Sequence, residues 1–266
     1  MSGYGYNYFT HKGIRIRYEE SGGGEPLILI TGLGGDLLFW RSAVRLLSDS
    51  FHIITFDNRG SGETTCPDND FNMADMANDV AYLLDHLGIE KVHLMGWSMG
   101  GNIAQEFTLL YPQKVATLTL ASTYLRRPCR SSYAIDNIIA VGEKMGEDMV
   151  MPLMNALCMS EEYYAQQEKG IRPNENGRRV YNIEGLRRQK FALDSHDVSE
   201  RISEINVPVL IFHGEDDIMV PIRFGEEMAR KIYGSEMIRI PTAGHILRAD
   251  QYVPHLKKFL KLHPIR

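Results

Sequence analysis

One serine of this 266-residue chain stands where it could act as a nucleophile. Ser98 lies in GWSMGG, residues 96–101, where a short apolar run of strand type passes into a segment with helical spacing. A sharp turn from strand to helix would leave this side chain projecting at the end of a sheet, and such a turn requires small neighbours such as Gly96 and Gly100. The helix that begins there would also direct free backbone N–H groups towards negative charge forming beside the serine.

A serine hydroxyl is a poor nucleophile unless a base removes its proton, so the hypothesis requires a histidine and an acid that orients it. His245 follows the last predicted strand in PTAGHILRAD, whereas His213 lies inside a predicted strand and His255 inside a predicted helix. The acid is expected after the preceding strand, where HGEDDIMVP offers three acids, residues 215–217. The resulting chain order is serine, acid, histidine.

The same chemistry needs hydrogen-bond donors for the oxyanion that develops on a carbonyl. The N–H group of Met99 directly follows the candidate nucleophile. A second donor, the N–H group of Leu33, is expected from the glycine-rich loop TGLGG, residues 31–35, after the first predicted parallel strand.

The first predicted parallel strand is followed by GLGG, a helical segment and a second strand that ends in Asp57. This order of elements also resembles a dinucleotide-binding unit. That fingerprint requires a third glycine where this chain has Leu37, and no Gly-Lys-Ser/Thr phosphate loop occurs. The three cysteines, Cys66, Cys129 and Cys158, have no metal-like spacing and are expected to be free thiols. The sequence therefore predicts neither an organic cofactor nor a metal.

Strands and helices alternate along the chain in the order that would position these residues. Apolar runs rich in β-branched residues predict strands at 27–31, 52–57, 91–97, 115–122, 207–214 and, more weakly, 237–241. Apolar residues from Met73 to Leu87 recur at steps of three and four and predict a helix that ends at Gly88. Residues 6–10 and 15–19 predict an antiparallel hairpin at the sheet edge. The prediction is an α/β fold with a mostly parallel sheet flanked by helices.

The alternation stops between residues 123 and 206, which contain polar loops and no clear apolar strand. This segment is predicted to be a mainly helical cap subdomain, residues 123–206, over the carboxyl ends of the strands, where open α/β sheets bind ligands. Residues 1–122 and 207–266 would form the core domain. The arginine pairs of the predicted cap, at 126–127, 178–179 and 187–188, could receive an acidic substrate, although interspersed acids favour solvated charge. Gly32, Trp40 and Trp97 are candidate pocket residues, and core packing is the alternative for both tryptophans.

The bulk properties exclude several classes of partner. A net charge of −5 and a sequence pI of about 6.0 argue against nucleic-acid binding, which normally requires a basic face. No apolar run approaches the ~18 residues that span a bilayer, and the first residues do not have the pattern of a signal peptide. We therefore expect a cytoplasmic protein that does not associate with membranes, and the oligomeric state stays open.

Five stretches together resemble the α/β-hydrolase fold family across essentially the whole chain. They are TGLGG, FDNRGSGET, GWSMGG, HGEDDIMVP and AGH, and GLGGDLLFW with GWSMGG is similar to 3-oxoadipate enol-lactonases, small esterases and pimeloyl-ester esterases. In the family's pattern two residues separate the acid from valine and proline, which fits Asp217 and makes Asp216 its neighbour.

The resemblance implies a serine hydrolase that cleaves an ester, lactone or thioester of a small-molecule acyl substrate through an acyl-enzyme on Ser98. Asp217 and His245 would complete the triad. Carbon–carbon bond hydrolysis and perhydrolysis are the alternatives within enzymes of this fold, and a non-catalytic ligand-binding member is the alternative outside them.

Overall fold

The computed structural model describes residues 6–168 and 181–266, so Arg178 and Arg179 of the predicted arginine pairs lie outside the described residues. The described residues form one eight-stranded sheet. Its strands are β1 Asn7–His11, β2 Ile14–Gly22, β3 Glu25–Ile30, β4 Phe51–Phe56, β5 Val92–Trp97, β6 Val115–Ala121, β7 Val209–Gly214 and β8 Glu236–Ile240. The helices are α1 Arg41–Leu47, α2 Met73–His86, α3 Met99–Leu110, α4 Cys129–Met145, α5 Val150–Cys158, α6 Glu161–Glu168, α7 Ile183–Asp194, α8 Arg223–Lys231 and α9 Ala249–Leu262.

The sheet has the strand order β1-β2-β4-β3-β5-β6-β7-β8. Strand β2 is antiparallel to both β1 and β4, and the pairs from β4 through β8 are parallel. The predicted α/β fold and edge hairpin are therefore confirmed. Because parallel strands end at the same edge, the segments after β3, β5, β7 and β8 meet there, and these segments carry Leu33, Ser98, Asp217 and His245.

Alternation along the strands divides the core between the two faces of the sheet. On β3, Ile28 and Ile30 belong to one apolar cluster, which includes side chains of α2 and α3. Leu27 and Leu29 point to the other face and belong to a second cluster, which includes side chains of α1 and α9. Both faces of the sheet are thus covered, which explains why the strands are almost continuously apolar.

The segment between β6 and β7 contains four α-helices, α4 to α7, among its described residues. Its extended pairing within the described ranges is a single bridge between Arg126 and Asp197. The predicted helical character is therefore present, and the division into a core domain and a cap subdomain stays a prediction. We call this segment the β6–β7 insertion.

The described helices include none with both the length and the apolar character needed to cross a membrane. The three cysteines are free; Cys129 at the start of α4 is exposed and Cys158 at the end of α5 is buried.

Asp57, which ends the segment that resembled a dinucleotide-binding unit, has a structural role. Its buried carboxylate accepts hydrogen bonds from the N–H groups of Leu37 at 2.7 Å and Glu63 at 2.9 Å. The guanidinium of Arg17 on β2 lies 3.5 Å from the same carboxylate. Asp57 therefore joins β2 and the loop after β4 to the loop after β3, which contains Leu33.

The Asp57 carboxyl should give the stability of the protein a distinct pH dependence. Burial raises its pKa to about 6, and the Glu63 and Leu37 N–H groups and Arg17 oppose that shift. The folded protein therefore holds this proton up to a higher pH than the unfolded chain, in which the pKa is ~3.9. By linkage, this group lowers the free energy of unfolding as pH rises from ~4 to ~6, and its contribution is constant above that window.

Asp57→Asn removes this titration. Urea unfolding of both proteins at intervals between pH ~4 and ~6 should show the free energy of unfolding falling by ~1 kcal/mol per pH unit more in the wild type than in the variant. Parallel curves for the two proteins would contradict the assignment of a raised pKa to Asp57.

Candidate active site

Ser98 sits at the junction of β5 and α3 in a backbone conformation that few non-glycine residues adopt. Its φ is +53° and its ψ is −119°, and such strain clusters at functional sites. The turn is held on both sides, because Ser98 N–H donates to the Ala121 carbonyl at 2.9 Å and the Thr123 hydroxyl donates to the Ser98 carbonyl at 2.8 Å. The side chain of Ser98 opens onto the cavity described below.

Two glycines make this turn possible by removing side chains from close approaches. A Cβ atom at Gly96 would overlap the carbonyl of Gly100, and a Cβ atom at Gly100 would overlap the carbonyl of Ile30 on β3. Gly101 faces the loop after β6, and a Cβ atom there would lie only 2.6 Å from the Thr123 side chain. The first turn of α3 is therefore packed directly against the end of β3.

Asp217 and His245 form a buried pair at the same edge of the sheet. His245 Nδ1 lies 2.8 Å from Asp217 Oδ2, and the two residues are 5 % and 3 % exposed. The second carboxylate oxygen of Asp217 accepts the Val220 N–H at 2.7 Å. These contacts fix the carboxylate, which as an acceptor requires the proton of His245 to be on Nδ1 and leaves Nε2 as the basic nitrogen.

Asp216 and His213, the alternatives to Asp217 and His245, have different environments from that pair. Asp216 is exposed, and its N–H group donates to the Ala243 carbonyl at 3.0 Å. His213 is completely buried on β7, and its Nε2 donates to the Val220 carbonyl at 2.7 Å. Burial lowers the pKa of His213, so it is neutral at neutral pH and supports the turn that presents Asp217.

The two expected oxyanion donors belong to segments that adjoin Ser98. Met99 is the first residue of α3, so its N–H group has no acceptor within the helix. The backbone at Gly32 passes so close that a Cβ atom there would lie 3.2 Å from Ser98 Cβ, and Leu33 follows directly. The next N–H group, of Gly34, donates to Gln189 Oε1 at 2.8 Å, which fixes the loop that carries Leu33.

A cavity of about 1430 Å³ contains Ser98 and His245 in its lining. Its lining includes buried residues of the insertion and of the turn after Asp217: Tyr124, Ser131, Ile135, Leu193, Met219 and Val220. It also includes residues of α1, of the loop after β8 and of α9: Ala43, Arg45, Leu46, Leu247, Arg248, Asp250 and Tyr252. Arg45, Arg248 and Asp250 are exposed, and so are Asp148 and Pro152 of the insertion, which also line the cavity, so the cavity reaches solvent.

The three candidate pocket residues have different positions. Gly32 and Trp97 line the cavity, although Trp97 is only 2 % exposed. The expectation that Trp40 lines the pocket is corrected, because this residue is 1 % exposed and lies in the second core cluster. Its ring packs edge-on against Trp97, with 6.0 Å between ring centroids, so Trp40 supports the pocket from behind.

The described arginines of the insertion are largely paired with acids. Arg188 bonds to Glu184 at 2.7 Å, and Arg187 bonds to both Glu143 and Glu184. Arg127 pairs with Asp194, although its side chain is 5 % exposed. None of these arginines lines the cavity, so solvated or paired charge describes them better than recognition of a substrate does.

Two groups of the insertion support the site without having been singled out from the sequence. Gln189 on α7 accepts from Gly34 and donates to the Arg59 carbonyl at 2.7 Å and to Ser61 at 2.8 Å. The Cys158 carbonyl at the end of α5 accepts the Ile246 N–H at 3.1 Å, directly after His245. No local pattern marks either residue, because each acts on a loop far away in the chain.

Comparison with known proteins agrees with this architecture. A sequence model of the alpha/beta hydrolase fold family matches residues 25–165. A protein of Agrobacterium fabrum named "Putative carbamate hydrolase RutD" is 31% identical over 247 residues, which cover 88% of this chain and 92% of that protein.

Solved structures show the same fold over nearly the whole length. A thermophilic esterase from Thermogutta terrifontis is 25% identical with a TM-score of 0.86, over 98% of this chain and 100% of that chain. The enol-lactonase from Burkholderia xenovorans LB400 has a TM-score of 0.87 at 22% identity, over 96% of this chain and 100% of that chain. With the sheet order and the turn at Ser98, these matches show that the chain belongs to the α/β-hydrolase fold family and is a hydrolase of that fold.

Proposed function

We propose that this hydrolase cleaves a carboxylic ester, lactone or thioester of a small molecule through an acyl-enzyme on Ser98. The observation that carries the proposal is the buried Asp217–His245 pair at 2.8 Å, whose histidine lines one cavity with a serine held in a strained turn. A buried carboxylate that orients a histidine beside a serine is the arrangement that activates a hydroxyl for attack on a carbonyl.

In the acylation step, Ser98 Oγ attacks the substrate carbonyl carbon while His245 Nε2 takes the hydroxyl proton. Asp217 holds the ring in the working tautomer and stabilises the imidazolium that forms. The carbonyl oxygen becomes an oxyanion that accepts hydrogen bonds from the N–H groups of Leu33 and Met99. The bond to the leaving group then breaks, and His245 gives its proton to the departing oxygen or sulfur atom.

Deacylation repeats these steps with water as the nucleophile. His245 takes a proton from the water molecule, whose oxygen attacks the acyl carbon. As the tetrahedral intermediate collapses to a carboxylic acid, His245 returns that proton to the departing Ser98 Oγ, which restores the free enzyme. The same N–H groups stabilise both oxyanions. The site residues of the chain account for each proton transfer.

Carbamate hydrolysis is the second candidate, because the 31% identical relative is named for that reaction. A carbamate carbonyl would take the same place, since it differs from an ester by a nitrogen on the acyl carbon. The lone pair of that nitrogen makes the carbamate carbonyl less electrophilic, so the ester should be the better substrate. The cavity is large enough for either.

Ser98→Ala should abolish hydrolysis of p-nitrophenyl esters and leave the fold intact, since loss of the nucleophile in such triads costs ~10⁴–10⁶ in turnover. Steady-state kinetics and circular dichroism would measure the two properties. A fluorophosphonate probe should label the wild type at Ser98 and leave the variant unlabelled. Retention of a tenth of the wild-type activity by the purified variant would exclude Ser98 as the nucleophile.

Asp217→Asn should lower turnover by ~10⁴, because the amide can donate to His245 and so favours the wrong tautomer. The matched control is Asp216→Asn, which changes an exposed carboxylate one residue away and should stay close to wild type. Kinetics of both variants with one ester would compare them. A larger loss in the Asp216 variant would move the role of the acid to that residue.

Ethyl acetate and ethyl carbamate, which differ by a methyl group in place of an amino group, separate the two candidate reactions. We expect kcat/KM for ethyl acetate to exceed that for ethyl carbamate at least tenfold, measured as ethanol released. Faster cleavage of ethyl carbamate would assign the protein to carbamate hydrolysis.

A further inference from the structure

Two other segments of the chain contact the loop that carries His245. The first is the turn after β7, which presents the acid of the buried pair. There the Asp216 N–H donates to the Ala243 carbonyl at 3.0 Å. The backbones of Gly214 and Gly244 also touch, since a Cβ atom at Gly214 would overlap the Gly244 carbonyl oxygen. The loop and the turn that presents the acid are therefore packed backbone against backbone.

The second segment belongs to the β6–β7 insertion and comprises residues 158–162, which we call the α5–α6 segment. Its Cys158 carbonyl accepts the Ile246 N–H at 3.1 Å. The two backbones touch again at Gly244, where a Cβ atom would lie 2.7 Å from the Cys158 carbonyl oxygen and 2.9 Å from Ser160 N. Because these are backbone atoms, they cannot turn aside for a side chain. The insertion therefore contacts the loop immediately before and after His245.

One side chain of the α5–α6 segment acts on both ends of this loop. The Thr242 hydroxyl, three residues before His245, donates to Glu162 Oε2 at 2.8 Å. Arg248 follows His245 by three residues. Its hydrogen bond to Asp250 raises the pKa of its guanidinium, desolvation opposes the shift, and the charges of Asp250 and Glu162 add to it. The Glu162 carboxylate thus bonds to one end of the loop and attracts the charge at the other.

The start of α6 fixes the position of Glu162. The Ser160 hydroxyl accepts the Tyr163 N–H at 3.3 Å, and the Ser160 carbonyl accepts the Tyr164 N–H at 3.4 Å. Both bonds close the first turn of α6, on which Glu162 lies. Because the Ser160 backbone also touches Gly244, the carboxylate and the close backbone contact belong to one continuous element.

The loop depends on such outside contacts for its shape. Thr242 has a φ of +55°, a conformation that a threonine seldom adopts and that persists only where the surroundings hold it. The bond to Asp217 fixes one end of the His245 ring, whereas the direction of Nε2 also depends on where the loop backbone lies. A misplacement of about 1 Å at a reacting group can cost ~10²-fold in rate. Glu162 holds the loop at Thr242, its strained residue.

We propose that Glu162 is a positioning residue of this hydrolase, which holds residues 242–248 from outside and thereby keeps His245 Nε2 directed towards Ser98. This inference rests on the proposed function, in which His245 is the base. Glu162 is not part of the cavity lining. Its removal should therefore slow the proton transfers and leave substrate binding unchanged.

The first test is Glu162→Ala with p-nitrophenyl hexanoate as substrate. We expect kcat to fall by about 3- to 10-fold, the factor that corresponds to one hydrogen bond. Because His245 acts in both acylation and deacylation, both steps should slow together and KM should stay at the wild-type value. Glu162→Gln keeps an acceptor oxygen for Thr242 and should recover most of the wild-type kcat. Circular dichroism would check that each variant is folded.

The partner and the neighbour of Glu162 supply the matched variants. Thr242→Val removes the same hydrogen bond from its other end and should lower kcat by a similar factor. The double variant should lose no more than either single variant, because both changes remove one interaction. Glu161→Ala removes an exposed carboxylate one residue away and should keep the wild-type kcat. If Glu162→Ala does not fold, Thr242→Val takes its place.

A background without the base separates the positioning of His245 from a general effect on the structure. The residual hydrolysis by His245→Ala does not depend on the direction of the imidazole. Addition of Glu162→Ala to this variant should therefore change the residual kcat by less than about twofold. The rates are measured at high enzyme concentration after subtraction of the uncatalysed rate.

The inference is overturned if Glu162→Ala keeps the wild-type kcat, if its loss falls on KM alone, or if Glu161→Ala has the same effect. It is also overturned if the effects of Glu162→Ala and Thr242→Val add, or if Glu162→Ala has its full effect without His245. These outcomes leave the proposed function intact, because the wild type still cleaves the ester. A wild type that neither cleaves the ester nor is labelled at Ser98 would instead refute the proposed function, and this inference with it.

Discussion

The close approach of α3 to the end of β3 determines where the proposed reacting groups lie. At Gly100 the helix backbone touches the Ile30 carbonyl, a contact that no side chain at this position would permit. This contact forces the strained turn at Ser98 and brings the first N–H groups of α3 next to the loop that carries Leu33. One steric constraint on the backbone therefore places Ser98, the proposed nucleophile, close to both expected oxyanion donors.

The β6–β7 insertion contributes to the site through its backbone and side-chain contacts as well as through the cavity surface. Gln189 of the insertion fixes the loop after β3, and the Cys158 carbonyl fixes the loop that carries His245. A displacement of α5 or α7 would therefore move the loop that carries His245 or the loop that carries Leu33. The shape of the cavity and the alignment of the proposed reacting groups are for this reason not independent properties.

The sequence predicts the sheet well because each strand has a local signal, and the predicted and observed strands differ by a few residues at their ends. It also places Ser98, Asp217 and His245 correctly at the ends of β5, β7 and β8, since parallel strands end at one edge. It does not predict the position of Trp40, which depends on packing against Trp97. Nor does it reveal Gln189, which acts on a loop 155 residues earlier in the chain.

The contrast between two thiols of the insertion makes the protein convenient for spectroscopic study. Burial and the Asp217 charge raise the pKa of Cys158 to about 12, so this thiol stays protonated and unreactive towards alkylating dyes at neutral pH. Burial also raises the pKa of Cys66, which slows its reaction. Cys129 is exposed at the first turn of α4. A maleimide fluorophore should therefore attach mainly there, and it would report on movement of the insertion without a change to the sequence.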